Sequence, residues 1–204
     1  LTGMEPDRWD EEQRRGLTID LGFVWTRLDS GADVAFVDVP GHEKFLGNML
    51  AGVGPAPVVL FVVAADEGWQ AQSTDHRDAL RALGVQHGMV ALTRADKADK
   101  TRRAEVAAQV RAELAGTQLA DAPVIEVSAK TGEGVDKLRA SLDALLAGMP
   151  APEKDARVRL WVDRAFSVKG AGTVVTGTLA AGTLAVGDEL MLRDRKAAVR
   201  GLQS

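Results

Sequence analysis

The chain has 204 residues, of which 46% are hydrophobic and 26% are charged, and its formal net charge is −4. This balance is typical of a soluble globular chain with room for one domain and part of another, and it excludes a uniformly basic surface. There is no apolar run of membrane-spanning length and no cysteine, so disulfides, thiolate metal sites and cysteine nucleophiles are excluded. These features are compatible with a cytoplasmic protein that does not enter a membrane.

Strand and helix patterns alternate from residue 22 to about residue 148, and we assign residues 1–148 to one domain. The first two strands are adjacent and are joined by a turn at residues 29–31. Strands are predicted over residues 23–28, 33–38, 58–64, 89–93 and 123–127, and helices over 73–83, 102–114 and 135–148. Ser73 or Thr74 is the expected cap of the first of these helices, and Gly84 its stop. The alternation predicts a mostly parallel sheet with crossover helices.

The pattern changes after a Pro-rich linker over residues 149–154. Residues 155–204 form a second predicted domain, in which glycines punctuate short β patterns such as 157–162, 173–179 and 198–202. This spacing predicts an incomplete antiparallel β-barrel. The second domain is richer in basic than in acidic residues, whereas residues 1–154 are acidic. The asymmetry is either chance or a surface that faces an anion such as RNA.

An aspartate ends the second predicted strand and opens the segment 38–42, Asp-Val-Pro-Gly-His. In nucleotide-binding α/β folds the ligand lies at the carboxyl ends of the strands, where Asp38 could hold Mg²⁺ and Thr18 could offer its hydroxyl. Gly41 would let a backbone N–H approach a γ-phosphate. His42 would then be placed to orient an attacking water. The alternatives are that Asp38 caps the following helix, Thr18 is an ordinary loop residue and His42 is structural or exposed.

A second group of polar residues follows the next two predicted strands. Thr93-Arg94-Ala95-Asp96 resembles the Asn-Lys-x-Asp motif with which GTPases read guanine. Asp96 could accept from guanine N1 and N2, and Arg94 could lie over the purine, while Thr93 is shorter than asparagine and loses part of the usual tether. Ser128-Ala129-Lys130 fits the loop whose backbone contacts guanine O6. Each segment alone is a weak indication of guanine recognition, and the order and spacing of the two segments make the indication stronger.

Taken together, these motifs resemble the selenocysteine-specific elongation factors, relatives of elongation factor Tu. The resemblance rests on residues 16–23, Gly-Leu-Thr-Ile-Asp-Leu-Gly-Phe, and on the helix sequence 42–52. It extends to residues 162–166 and 169–178, which are similar to the second domain of the family. Thr93 in place of asparagine is also characteristic of this family. The resemblance covers nearly the whole chain.

The main departures from the family are losses. The phosphate-binding loop G-x-x-x-x-G-K-[ST] does not occur in residues 1–204, and Leu1-Thr2-Gly3 is similar to the tail of the helix that follows it. We therefore expect a P-loop-NTPase-type sheet that lacks its first strand and phosphate loop, with a barrel that stops early. Residues 1–204 alone are expected to bind GTP poorly, because loop amides and the loop lysine supply most of the direct contacts to the phosphates.

The resemblance implies a monomeric factor that carries selenocysteyl-tRNA to the ribosome, with GTP and Mg²⁺ ordering two switch segments. It implies that Leu17 is an apolar gate for His42. It also implies that Asp163 and Arg164 line a pocket for the selenol, although Arg164 could equally be a surface residue of the barrel. Recognition of a selenocysteine-insertion element in mRNA would need modules not found here. The alternatives are an RNA- or tRNA-binding remnant that does not hydrolyse GTP and an inert fragment of another translational GTPase.

Overall fold

The computed structural model describes residues 1–6, 14, 18–53, 56–150, 153–170 and 172–203. Contacts within the chain divide it into two compact units, Leu1–Met149 (unit 1) and Pro150–Ser204 (unit 2). Unit 1 is an α/β structure with a parallel sheet, and unit 2 contains antiparallel strands, which confirms the predicted fold class. Within the described residues, the helices are too short or too polar to cross a bilayer.

Unit 1 opens with a β-hairpin. Strand β1, Gly22–Arg27, pairs antiparallel with β2, Asp33–Asp38, so that Gly22 lies opposite Asp38. The turn between them is closed by hydrogen bonds from the Leu28 N–H to the Ala32 carbonyl and from the Gly31 N–H to the Leu28 carbonyl, both 2.9 Å. The two adjacent strands predicted from the sequence are thus confirmed, except that Leu28 belongs to the turn.

The remainder of unit 1 alternates helices with the strands of a parallel sheet. A 3-10 helix, Glu43–Phe45, leads into helix α1, Leu46–Val53. The elements that follow are β3 (Val59–Ala64), α2 (Ala71–Leu83), β4 (Gly88–Thr93), α3 (Lys100–Leu114), β5 (Val124–Glu126) and α4 (Val135–Ala147). The predicted order is confirmed, with boundaries that differ by at most two residues.

Strand β4 is the centre of the parallel sheet, whose order is β3-β4-β5. Its side chains alternate between two buried clusters, as expected of a strand covered on both faces. One cluster joins it to α1, α2, β3 and α3 and includes Met49, Phe61, Leu80, Val90, Leu92, Val106 and Val110. The other joins it to β5 and α4 and includes Met89, Ala91, Ile125, Leu138 and Leu142. Because the three strands are parallel, their carboxyl ends lie at one edge of the sheet.

The hairpin joins the rest of unit 1 by packing. In the described part of the chain, β2 and β3 share no strand hydrogen bonds. Val34 and Phe36 of β2 instead pack against the cluster beneath α4, which also contains Leu28. Ser30 in the hairpin turn adds a polar tie, because its hydroxyl donates to an Asp143 carboxylate oxygen of α4 at 2.5 Å. Side-chain packing thus fixes the position of Asp38 at the end of β2.

Two helix starts differ from the prediction. Helix α2 is capped at Gln70, and the Ser73 hydroxyl accepts a hydrogen bond from the Gln70 N–H at 3.3 Å. The prediction of Ser73 or Thr74 as the cap was wrong, because Ser73 acts from inside the first turn. Helix α3 begins two residues earlier than predicted, because Asp99 caps it by accepting from the Arg102 N–H at 2.8 Å. The predicted stop of α2 at Gly84 is confirmed by its left-handed φ of 68°.

Unit 2 consists of two antiparallel pairs in its described residues. Strand β6, Arg159–Val168, pairs with β7, Gly172–Ala181, and β8, Glu189–Leu192, pairs with β9, Arg195–Ala198. The predicted strand at 198–202 was wrong, because the tight turn after Leu192 places β9 earlier in the chain. None of the described residues from 153 to 203 is fully buried, and apolar side chains such as Trp161 and Phe166 are about half exposed.

We expect Gly134→Ala to destabilise unit 1 by about 3 kcal/mol or more, measured by urea denaturation. Gly134 has a φ of 73°, and an added Cβ would lie 1.9 Å from the Glu126 carbonyl oxygen. Gly132→Ala is the matched control, since Gly132 has a φ of 82° and no atom within 4 Å of the added carbon. The control should lose only about 1–2 kcal/mol from the left-handed conformation. Equal losses would show that the close approach to Glu126 is unimportant.

Candidate functional site

Two residues predicted to bind a metal lie together at the carboxyl end of β2. The Thr18 hydroxyl donates to an Asp38 carboxylate oxygen at 3.3 Å, and both residues are half-buried. Hydroxyl and carboxylate oxygens are hard ligands that suit Mg²⁺, which usually takes one or two protein ligands and completes its shell with water and phosphate. Neighbouring Leu17, the predicted gate, lies outside the described residues.

Gly41 and His42 follow in the loop between β2 and the 3-10 helix. Nδ1 of His42 accepts a hydrogen bond from the Lys44 N–H at 3.2 Å, so the neutral imidazole carries its proton on Nε2. The ring is half-buried and tilted against Phe45, with the ring centroids 6.1 Å apart. The local turn therefore sets the orientation of His42, and its Nε2 edge is the one available to a ligand.

Two cavities border this corner of unit 1. The first, about 310 Å³, lies between the Gly41 loop, α1 and α2. The second, about 340 Å³, lies where β3 and β4 end and α2 begins. A cavity at the carboxyl ends of parallel strands is where α/β folds of this kind hold their ligands. Thr93 and Arg94 line the second cavity.

The predicted base-recognition residues lie at the ends of β4 and β5. Ser128 is fully buried, and its hydroxyl donates to an Asp96 carboxylate oxygen at 2.5 Å. The same hydroxyl accepts from the Thr131 N–H at 3.2 Å, so it bridges the two loops. The hydrogen bond from Ser128 lowers the pKa of Asp96, and the positive charges of Lys130 and Lys97 act in the same direction. Asp96 is thus held as an exposed, ionised acceptor, with exposed Ala129 and Lys130 beside it.

Thr93 and Arg94 link β4 to β3. The Thr93 hydroxyl donates to the Val63 carbonyl at 3.3 Å. Arg94 has a left-handed φ of 54°, and its guanidinium forms ion pairs with Asp66, at 2.9 Å, and with Glu67. The hydrogen bond with Glu67 raises the pKa of Arg94 above its ordinary value. In the predicted position of Arg94 over a purine, its guanidinium would stay paired with Asp66 and Glu67, and its aliphatic chain would face the base.

Sequence reasoning missed Arg103, which supports the loop that carries Ser128. One guanidinium nitrogen of Arg103 lies 2.9 Å from the Glu133 carboxylate and 3.1 Å from that of Glu126, at the two ends of this loop. The Ser128 N–H in turn donates to the Glu133 carbonyl at 2.9 Å. An arginine on a polar helix face gives no sequence signal of such a long-range contact, since its partners lie 23 and 30 positions away.

In unit 2, Asp163 and Arg164 lie at an irregularity of the β6–β7 pair. The register shifts between Val162 and Arg164, so that Asp163 is the extra residue of a bulge. The Thr176 hydroxyl donates to the Asp163 carboxylate. Asp163 and Arg164 are both exposed, and Arg164 pairs in register with Thr176. A bulge that places the acidic Asp163 next to the basic Arg164 is compatible with a polar ligand pocket.

Carboxylate and hydroxyl groups at the carboxyl ends of parallel strands are typical of nucleotide-binding α/β proteins, which hold their ligands at that edge of the sheet. A model of the elongation factor Tu GTP binding domain matches residues 3–148. The chain therefore belongs to the family of the elongation factor Tu GTP binding domain.

Similar proteins extend the comparison beyond unit 1. The chain is 45% identical over 196 residues to the selenocysteine-specific elongation factor of Escherichia coli (strain K12), covering 94% of this chain and 31% of the relative. It is 41% identical over 205 residues to that of Desulfomicrobium baculatum, covering 100% of this chain and 32% of the relative. The chain thus spans about a third of the length of these relatives.

Solved structures agree with the sequence relatives. A crystal structure of a bacterial selenocysteine-specific elongation factor, EF-Sec, superposes with a TM-score of 0.86 and 35% identity, covering 92% of this chain and 32% of that one. Translation elongation factor SelB of Methanococcus maripaludis, in complex with the GTP analogue GppNHp, superposes with a TM-score of 0.80 and 31% identity, covering 89% of this chain and 40% of that one.

We expect Ser128→Ala to raise the pKa of Asp96 towards its ordinary value, measured by a ¹³C NMR titration of the Asp96 carboxyl carbon. In the wild type the folded pKa of Asp96 lies below the unfolded one. Its contribution to stability is therefore present above the unfolded pKa, near 4, and is lost as the pH falls through the folded pKa. Removing Ser128 should weaken this acid dependence.

Ser30→Ala is the matched control for this titration. Ser30 also donates to a carboxylate at 2.5 Å, but its partner is Asp143. The control should leave the Asp96 titration unchanged. An Asp96 pKa that does not respond to Ser128→Ala would show that the 2.5 Å contact is not what lowers it.

Proposed function

We propose that the protein containing this chain is a GTPase that delivers selenocysteyl-tRNA to the ribosome in the cytoplasm, with GTP as its switch. The observation that carries the proposal is the Asp96–Ser128 hydrogen bond, 2.5 Å long, in a domain of the elongation factor Tu GTP-binding family. The names of the selenocysteine-specific relatives support the choice of tRNA.

In the proposed site, Asp96 selects guanine. Its carboxylate is ionised and exposed, so it can accept hydrogen bonds from N1–H and the N2 amino group of guanine. Adenine presents no such pair of donors, and it would leave the carboxylate without partners. The backbone of the Ser128-Ala129-Lys130 loop faces guanine O6 in this assignment. Thr93 and Arg94 flank the base from the ends of the neighbouring strands.

The phosphates belong at the other corner of unit 1. Thr18 and Asp38 would hold Mg²⁺, which, when bound, neutralises charge on the phosphate oxygens. The Gly41 N–H would contact the γ-phosphate, since glycine leaves room for a close approach of the backbone. His42, oriented by its hydrogen bond from the Lys44 N–H, would align the attacking water, and Leu17 would restrain it as an apolar gate.

We further propose that residues 1–148 are the GTP-binding domain, 149–154 the linker and 155–204 part of a translation-factor barrel that binds the aminoacyl end of the tRNA. Support comes from the bulge at Asp163 and from the basic balance of residues 155–204. A selenol is ionised near neutral pH, so a pocket containing Arg164 would favour it over a hydroxyl. The factor acts as a monomer in this proposal.

Asp96→Ala should lower the affinity of the complete gene product for GTP by roughly 100-fold or more, because two charge-assisted hydrogen bonds are lost. Its weaker affinity for ATP should stay the same. Both are measured by competition against a fluorescent nucleotide in the presence of Mg²⁺. Asp121→Ala, at another exposed aspartate of unit 1, is the control and should change neither affinity. Equal losses for GTP and ATP would refute the guanine assignment.

Arg164→Ala should weaken binding of selenocysteyl-tRNA by the complete gene product more than binding of the seryl form, about tenfold against twofold or less. The reason is that a guanidinium attracts the selenolate and has no charge to attract on serine. Arg159→Ala removes an exposed arginine from the same strand and is the control. Equal weakening of both tRNAs by Arg164→Ala would place Arg164 on a general RNA-binding surface instead.

A further inference from the structure

A histidine of helix α2 contacts the loop that carries the proposed hydrolytic residues. His76 is half-buried and lies in the second turn of α2. It lines both cavities described above, so its ring stands between the Gly41 loop and the ends of β3 and β4. No motif in the sequence pointed to this residue, since it lies 35 positions from its partner.

The contact itself is a hydrogen bond to the backbone. Nε2 of His76 lies 3.2 Å from the Gly41 carbonyl oxygen. A carbonyl can only accept, so Nε2 carries the proton and donates. The ring also lies against Gly41, since a Cβ built there would be 3.8 Å from Cε1 of His76. The bond thus holds the peptide that joins Gly41 to His42.

Helix α2 is a firm support for this bond. It is closed at its start by the Gln70–Ser73 hydrogen bond and at its end by Gly84, and Leu80 is buried in the core. Trp69, just before the helix, stacks on Phe61 with ring centroids 5.4 Å apart and donates to Thr74 at 3.0 Å. Gly41, by contrast, is exposed and lies in a segment without regular secondary structure. A contact from a fixed helix to such a loop limits the positions that the loop can take.

We propose that His76 is a positioning residue of the GTPase site, which fixes the Gly41–His42 peptide and thereby the direction of the His42 ring. This rests on the proposed function, since it is His42 that would align the water. His76 itself touches neither nucleotide nor water in this scheme. A small displacement of an aligning group lowers a rate more than it lowers affinity. Loss of the His76 bond should therefore slow hydrolysis and leave GTP binding largely intact.

The test compares three variants of the complete gene product in single-turnover GTP hydrolysis, with the Kd for GTP measured in parallel. His76→Leu should lower the hydrolysis rate roughly tenfold, as expected for one lost hydrogen bond, and change the Kd by less than about twofold. His76→Gln keeps an N–H donor at nearly the same reach and should recover the rate to within about threefold. His87→Leu is the matched control at an exposed histidine outside the site and should behave as the wild type.

A second measurement separates this proposal from the proposed function. In residues 1–204, the ¹³C carbonyl resonance of Gly41 should shift with His76→Leu, shift much less with His76→Gln and stay in place with His87→Leu. The positioning role would be overturned if His76→Leu shifted the Gly41 carbonyl resonance but hydrolysed GTP at the wild-type rate. It would also be overturned if His76→Leu left that resonance unchanged. Equal rate losses in the Leu and Gln variants would also overturn it. Absence of hydrolysis in the wild type would refute the GTPase and this role together, and the resonance would still report whether the contact exists.

Discussion

Burial of β4 on both faces is the constraint on which the rest of unit 1 depends. Its hydrogen bonds to β3 and β5 bring the ends of three parallel strands to one edge. Because alternate side chains of β4 belong to different cores, the strand cannot slip by one residue without moving all of them to the wrong face. The positions of Thr93, Asp96 and Ser128 follow from this register. The proposed reading of guanine therefore relies on apolar packing several residues away from the base.

The two corners of the proposed site are supported in different ways. Asp96 and Ser128 are joined directly, and Arg103 ties the ends of the Ser128 loop to α3. The corner with Thr18, Asp38 and Gly41 follows a hairpin that is packed onto the core and shares no strand bonds with β3 among the described residues. For the proposed GTP switch, a rigid site for the base and a more loosely held site for the phosphates suit their different tasks, since only the second has to respond to hydrolysis.

The order of strands and helices was predictable, because each element carries its own periodicity. The continuous apolar run of β4 and the apolar stripe of α3 are visible in the sequence. Likewise, Asp38, Asp96 and Ser128 could be found because each follows a strand in a recognisable short motif. Arg103 and the ion pairs of Arg94 could not, since they join residues that only the tertiary fold brings together. The cap of α2 was missed for a related reason: Ser73 can stabilise a helix start from outside or from inside the first turn, and sequence alone does not decide between them.

The exposure of unit 2 has a consequence for how this chain melts. Two-stranded antiparallel pairs are marginal by themselves in water, and the described part of unit 2 offers no fully buried side chain to make its unfolding cooperative. The heat absorbed on unfolding should come almost wholly from residues 1–149. A calorimetric enthalpy for this polypeptide thus corresponds to a domain of about 150 residues and not to its full 204.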